Sequence, residues 1–235
     1  MADRASTAEA PELEAPLEAE APETPSAPEG LDPARAERRA AALAQVVKFG
    51  DPVLRSVASP VTDFDGALEA EAERMAELMK DGMGVGLAAT QLGILRRVLV
   101  FQAGPDAPVT VLVNPAIEWS SRDDLVTAEE GCLSIPGVVL DVERPLRIEV
   151  SAVDTAGAPL TIEASGLEAR VIQHEIDHLD GVLILQRAPR DQRRAALRAL
   201  REGGTYAPER DSEESGGEDP DAPEGREPRR GDPRA

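Results

Sequence analysis

The chain of 235 residues contains one cysteine, two histidines, two lysines and five aromatic residues. A single cysteine excludes an intramolecular disulfide framework and fits a reducing compartment. No apolar run approaches the roughly 20 residues that a membrane span needs. The N-terminus lacks the basic start and apolar stretch of an export signal, and its acidity is wrong for an organellar transit peptide. A soluble, cytoplasmic protein with no membrane partner is therefore expected. Positive charge is also short: 25 Lys and Arg stand against 45 Asp and Glu, a net charge of −20. That balance disfavours a general nucleic-acid binder, and DNA is not an expected partner. Only Lys48 and Lys80 are lysines; the other basic residues are arginine, a bias we read as compositional.

Aliphatic residues thin out at both ends. Residues 1–44 hold six prolines and no Val, Ile, Phe, Trp or Tyr, at net charge −6, and 203–235 are Gly, Pro, Glu, Asp and Arg at net −5. The second segment also holds Thr205, Tyr206, two Ser and three Ala, but neither segment has the apolar surface to offset its ordering entropy, so both are expected to be disordered acidic tails. One domain is expected between them, 45–202, of ordinary size and net charge −9.

Within that domain, Phe49-Gly50-Asp51-Pro52 signals a turn. Ala67 to Lys80 repeats apolar residues at helical spacing and stops before Gly82. Short aliphatic strands are predicted at Val98–Gln102 and Val111–Asn114. Alternation over Leu146–Val153, resumed at Leu160–Ala164 after a polar turn, predicts a β-hairpin. Leu167–Leu179 and Asp191–Arg201 read as two further amphipathic helices. Strands in runs with a few helices, rather than in strict alternation, give an α+β fold class.

Residues 174–178 read His174-Glu175-Ile176-Asp177-His178 inside the predicted helix 167–179. Side chains four apart share a helix face, so both imidazoles can reach one metal while Glu175 reaches a water on it. They are the only histidines in the chain, and two ligands leave a catalytic site one short. No later His exists, and the first Glu after His178 is Glu202, beside the acidic tail. An upstream ligand is then required, and Cys132 is the only soft candidate. Its setting, Glu130-Gly131-Cys132-Leu133-Ser134-Ile135-Pro136-Gly137, reads as a glycine-bracketed loop.

Three motifs in order resemble the peptide deformylases: Gly84-Val85-Gly86-Leu87-Ala88-Ala89-Thr90-Gln91, Glu130-Gly131-Cys132-Leu133-Ser134 and Gln173-His174-Glu175-Ile176-Asp177-His178-Leu179-Asp180-Gly181. Weaker similarity, including Asp51-Pro52-Val53-Leu54-Arg55 and Leu112-Val113-Asn114-Pro115, extends over most of 45–190; the tails are not explained by it. The resemblance implies small antiparallel sheets packed around a central helix carrying the second and third ligands. It implies a hydrolase removing the formyl group from formyl-methionyl nascent peptides, releasing formate. Cys132, His174 and His178 would bind one divalent metal, Fe(II) in preference to Zn(II), Ni(II) or Co(II), and Glu175 would act as general base and then acid. Gln91 and the backbone N–H of Leu133 would donate to the oxyanion, and Gly86 would hydrogen-bond the peptide. Val85, Leu167 and Val171 would line the methionine pocket, and Glu130 and Arg144 would brace the metal loop. The arginine-rich stretch 187–202, net +4 in an acidic protein, would dock on ribosomal RNA, although a solvated helix face explains the same residues. Two other readings stay open: an endopeptidase using a downstream Glu, and a non-catalytic metal- or peptide-binding module.

Overall fold

The computed structural model describes residues 31–209. Its first helix, α1 (Pro33–Gln45), begins where the Asp32 side chain accepts the Ala34 N–H and Pro33 fills the first turn. Half of the segment's remaining positions are alanine, the best helix former; Ala42, Leu43 and Val46 are buried, Ala42 and Val46 in one cluster with residues of α2 (Gly66–Asp81). The expectation of disorder through residue 44 is therefore corrected for 32–44. A short apolar end suffices to dock a helix that composition averaged over the whole segment concealed. The rest of that expectation, 1–30, lies outside the described residues.

Seven strands follow in two antiparallel sheets. β1 (Gly86–Ala88), β2 (Val98–Phe101), β3 (Thr110–Ser120), β6 (Arg147–Val153) and β7 (Pro159–Ser165) form one sheet in the order β1-β2-β3-β6-β7. β4 (Leu125–Cys132) and β5 (Ile135–Pro145) form a separate hairpin. Val98, Leu99, Val100 and Phe101 are all buried because both faces of β2 are covered. Val98 and Val100 meet Leu68, Met75 and Met79 of α2, while Leu99 and Phe101 meet Ile172 and Ile176 of α3 (Gly166–Leu179). Thus α3 lies between the large sheet and the hairpin, buried from Val171 to Leu179. Gly181 ends it with φ 72°, in a place where a Cβ would stand 2.6 Å from the Arg55 carbonyl.

The hairpin's own core joins Ile135, Val138, Leu140 and Val142 to α4 (Ile184–Arg187) and to Ala196 of α5 (Arg190–Arg201). Beyond α5 the chain returns beside β5: Tyr206 N–H donates to the Gly137 carbonyl and Val139 N–H to the Tyr206 carbonyl, both at 2.8 Å. The expected C-terminal tail is therefore corrected at 203–209, where β5 supplies the backbone partners and Tyr206 the apolar contact. Residues 210–235 lie outside the described residues. Small antiparallel sheets around a central helix is the architecture observed. Among the described residues no helix is long and apolar enough to cross a membrane.

Candidate metal centre

His174 and His178 stand one turn apart on α3, their ring centroids 5.0 Å from each other. Cys132 comes from the end of β4, where the register with β5 slips between Gly131 and Cys132. The motif read as a loop is thus a strand with a tight turn after it. The slip turns the sulfur toward α3: Sγ is 3.2 Å from His178 Nε2, and the donor atoms of Cys132, His174 and His178 lie within 4.8 Å of one another. A thiolate and two imidazoles suit a divalent transition metal, and three protein ligands leave a position open for water or substrate. The residues fit such an ion.

Behind the donors lies a buried ion network. His174 Nδ1 bonds Glu130 Oε2 at 2.9 Å, which leaves Nε2 to face the site. Arg144 grips both Glu130 oxygens, at 2.6 and 2.9 Å, and Arg170 adds a bond of 2.7 Å. Arg144 also reaches Asp177 at 2.9 Å, and Arg187 closes the chain on Asp177. Burial pushes the Glu130 carboxyl up, but hydrogen bonds from Arg144 and His174 overcome it and hold the pKa at about 2. For Cys132, burial opposes ionisation, yet the two imidazoles hold the thiol well below its ordinary range. Glu130 and Arg144 therefore sit together as expected, in a larger network that also contains Arg170, Asp177 and Arg187. Arg170 was readable as the residue four before His174 on the same helix.

Glu175 is buried beside the donors with Oε2 unpartnered. Burial raises its pKa, partly offset by His174 and His178. Gly86 in β1 lies directly against its side chain. Gln91 sits in the single turn Ala89–Leu92 after β1, where its Oε1 accepts the Ala88 N–H at 2.9 Å. Its Nε2 points to Ser134 Oγ at 3.3 Å and to Cys132 Sγ at 3.7 Å. Ser134, fully buried, escaped the sequence reading, since a Ser after Cys-Leu carries no spacing signal. Leu133 follows Cys132 in the turn, which places its N–H next to the sulfur donor atom. Val85 and Leu167 are 48 % and 55 % exposed, at the approach to β1 and the start of α3, whereas Val171 is buried between α3 and the large sheet. Glu202 ends α5 and bonds Arg198 at the surface, so among the described residues no downstream carboxylate joins the three donors.

A metal-dependent hydrolase is the class of protein to which this fold and donor set point. The family model for polypeptide deformylase matches residues 43–194. A peptide deformylase of Parafrankia is 44 % identical over 154 residues, 66 % of this chain and 83 % of the relative. One of Acidothermus cellulolyticus is 46 % identical over the same shares. The crystal structure of the Thermus thermophilus peptide deformylase superposes with a TM-score of 0.64 at 43 % identity, covering 68 % of this chain and 93 % of that one. A Synechococcus elongatus peptide deformylase solved with actinonin gives 0.63 at 43 % identity, covering 68 % and 88 %. The chain belongs to the polypeptide deformylase family, metal-dependent hydrolases that remove the formyl group from nascent polypeptides.

Proposed function

We propose that residues 45–202 form the catalytic domain and that Cys132, His174 and His178 hold its one divalent ion, Fe(II) by family resemblance, with Zn(II), Ni(II) and Co(II) accommodated by the same donors. When bound there, the ion would supply Lewis acidity, which lowers the pKa of a water from far above neutrality toward roughly 7. Glu175 takes the proton of the attacking water and delivers it to the amine nitrogen that leaves, so that formyl amide and water become formate and a free N-terminus. Its free oxygen, buried and unpartnered beside the three donors, is the observation that carries the reading. A base raised by burial accepts a proton more readily near neutral pH.

As the formyl carbon becomes tetrahedral, its oxygen gathers charge. The Gln91 amide, held by Ala88 and Ser134, and the Leu133 N–H donate to it; one such donor is commonly worth about 3 to 4 kcal/mol of barrier. The peptide following the formyl group lies along Gly86, with the methionine side chain toward Val85, Leu167 and Val171. The exposed arginines of α5 dock on the ribosome where nascent chains emerge, which places the enzyme in the cytoplasm. Formate release from formyl-Met-Ala-Ser, set against cleavage of an internally quenched peptide, tests the reaction. Formate without internal cleavage is expected, and the reverse pattern or neither would overturn it. Elemental analysis after anaerobic purification tests the metal, with iron expected near one per chain.

A further inference from the structure

Val47, Lys48 and Phe49 join α1 to the Asp51 turn and have no part in the chemistry above, yet all three fasten to the two turns that carry the oxyanion donors. Val47 N–H donates to the Gln91 carbonyl at 2.7 Å, and Phe49 N–H to the Ser134 carbonyl at 2.8 Å. Between them the Lys48 ammonium donates to the Leu43 carbonyl in the last turn of α1 at 2.7 Å and to the Leu133 carbonyl at 3.4 Å. The carbonyls of Gln91, Leu133 and Ser134 are thus held from one short stretch of chain.

The choice of lysine matters. Arginine is the basic residue everywhere else except Lys80, but a guanidinium is a planar fork suited to carboxylates, whereas an ammonium is compact with three rotatable donors. That head fits between two carbonyls arriving from different directions. One of them lies in a helix's last turn, where the macrodipole favours a cation. Lys48 is half-buried and its pKa is lowered by that burial, with Cys132 nearby acting the other way. Shielding from water strengthens charge-assisted bonds of this kind.

We propose that Lys48 is a positioning residue for oxyanion stabilisation: its ammonium, with the two flanking backbone bonds, clamps the Gln91 turn and the Cys132–Leu133 turn at a fixed separation. The proposal rests on the reading in which Gln91 and Leu133 donate to the formyl oxygen. Small misplacements of such donors are expensive, because their value lies in being aimed before charge develops.

The test compares full-length, metal-loaded wild type with Lys48→Met. For the variant we expect kcat for formyl-Met-Ala-Ser to fall about tenfold with KM within about twofold. The Val47 and Phe49 amides should exchange with deuterium about tenfold faster, with metal content unchanged. Lys48→Arg keeps the charge but not the compact head, and it reads in the same direction should the methionine variant fail to fold. Unchanged amide exchange would overturn the clamp itself. Faster exchange with kcat intact would overturn the proposal through the oxyanion reading on which it rests.

Discussion

A Cβ placed on Gly86 would lie 2.4 Å from Oε1 of Glu175 and 2.8 Å from its Cγ. Glycine is required there by the carboxylate as well as by any peptide that runs along β1, a reason the sequence did not disclose. The clash falls on a side chain and not on backbone, so Gly86→Ala should fold, with the Glu175 carboxylate pushed from its place. Turnover should fall about 100-fold or more, the usual contribution of a positioned acid–base group, with metal content near wild type. Wild-type kcat with full metal would show that Glu175 keeps its role from a shifted position.

Glu175→Gln separates catalysis from stability. On the proposed mechanism the ligands remain while the proton carrier is gone, so metal should stay bound while kcat falls by roughly two to four orders of magnitude. Stability should move the opposite way. Burial raises the folded-state pKa of Glu175 above its ordinary value, so the folded protein holds this group's proton more tightly than the unfolded chain does. Its favourable contribution is present at low pH and is lost as the pH rises through the folded pKa. In the metal-free protein the Gln variant should therefore melt higher than wild type at neutral pH, with the gap closing on acidification. A lower melting temperature at neutral pH would contradict the burial argument.

Glu130 has the reverse sign. With its pKa held at about 2 against an ordinary 4.5, its pairing adds on the order of 3 kcal/mol. That stability is full above about pH 4.5 and is lost as the pH falls through about 2. Glu130→Gln should lose it at neutral pH in urea unfolding and should also weaken metal affinity about 10- to 100-fold, because His174 loses the acceptor that orients it. Unchanged affinity would mean that packing alone orients the His174 ring.

What could be read in advance was local. His174 and His178 are one helical turn apart, and Cys132 followed from counting donors. The β4–β5 hairpin was missed although it carries Cys132. In β5 the inward positions are Val138, Leu140, Val142 and then Arg144, so the alternation ends on a charge that only the distant Glu130 and Asp177 make tolerable. In β4 most side chains face outward, leaving no apolar pattern to detect. Helix α1 hid for a related reason: its buried residues cluster at one end, and their partners are on α2. Tyr206 is a lone aromatic in an acidic stretch, and its place beside Gly137 is set by backbone bonds that carry no side-chain signature.

The charge of α5 opposes that of the whole protein. Ala196 is buried and Leu197 and Leu200 pack on the hairpin core, and Gln192 bonds Asp141 of β5 on that side. Arg190, Arg193, Arg194, Arg198 and Arg201 are exposed. Arg187 is not free to join them, because it is committed to Asp177, and Arg198 pairs with Glu202 at the surface, where such a pair is worth little. An exposed cationic face on an acidic body attracts a polyanion in one orientation and repels it in others. Contacts to phosphates release counterions, so binding through this face should weaken steeply with salt. Reversing Arg194, Arg198 and Arg201 to Glu should lower ribosome co-sedimentation at low salt at least about tenfold and flatten its salt dependence. Hydrolysis of free formyl-Met-Ala-Ser should stay within about twofold, because these residues stand apart from the donors. Equal co-sedimentation of the two proteins would reduce the arginines to a solvated helix face.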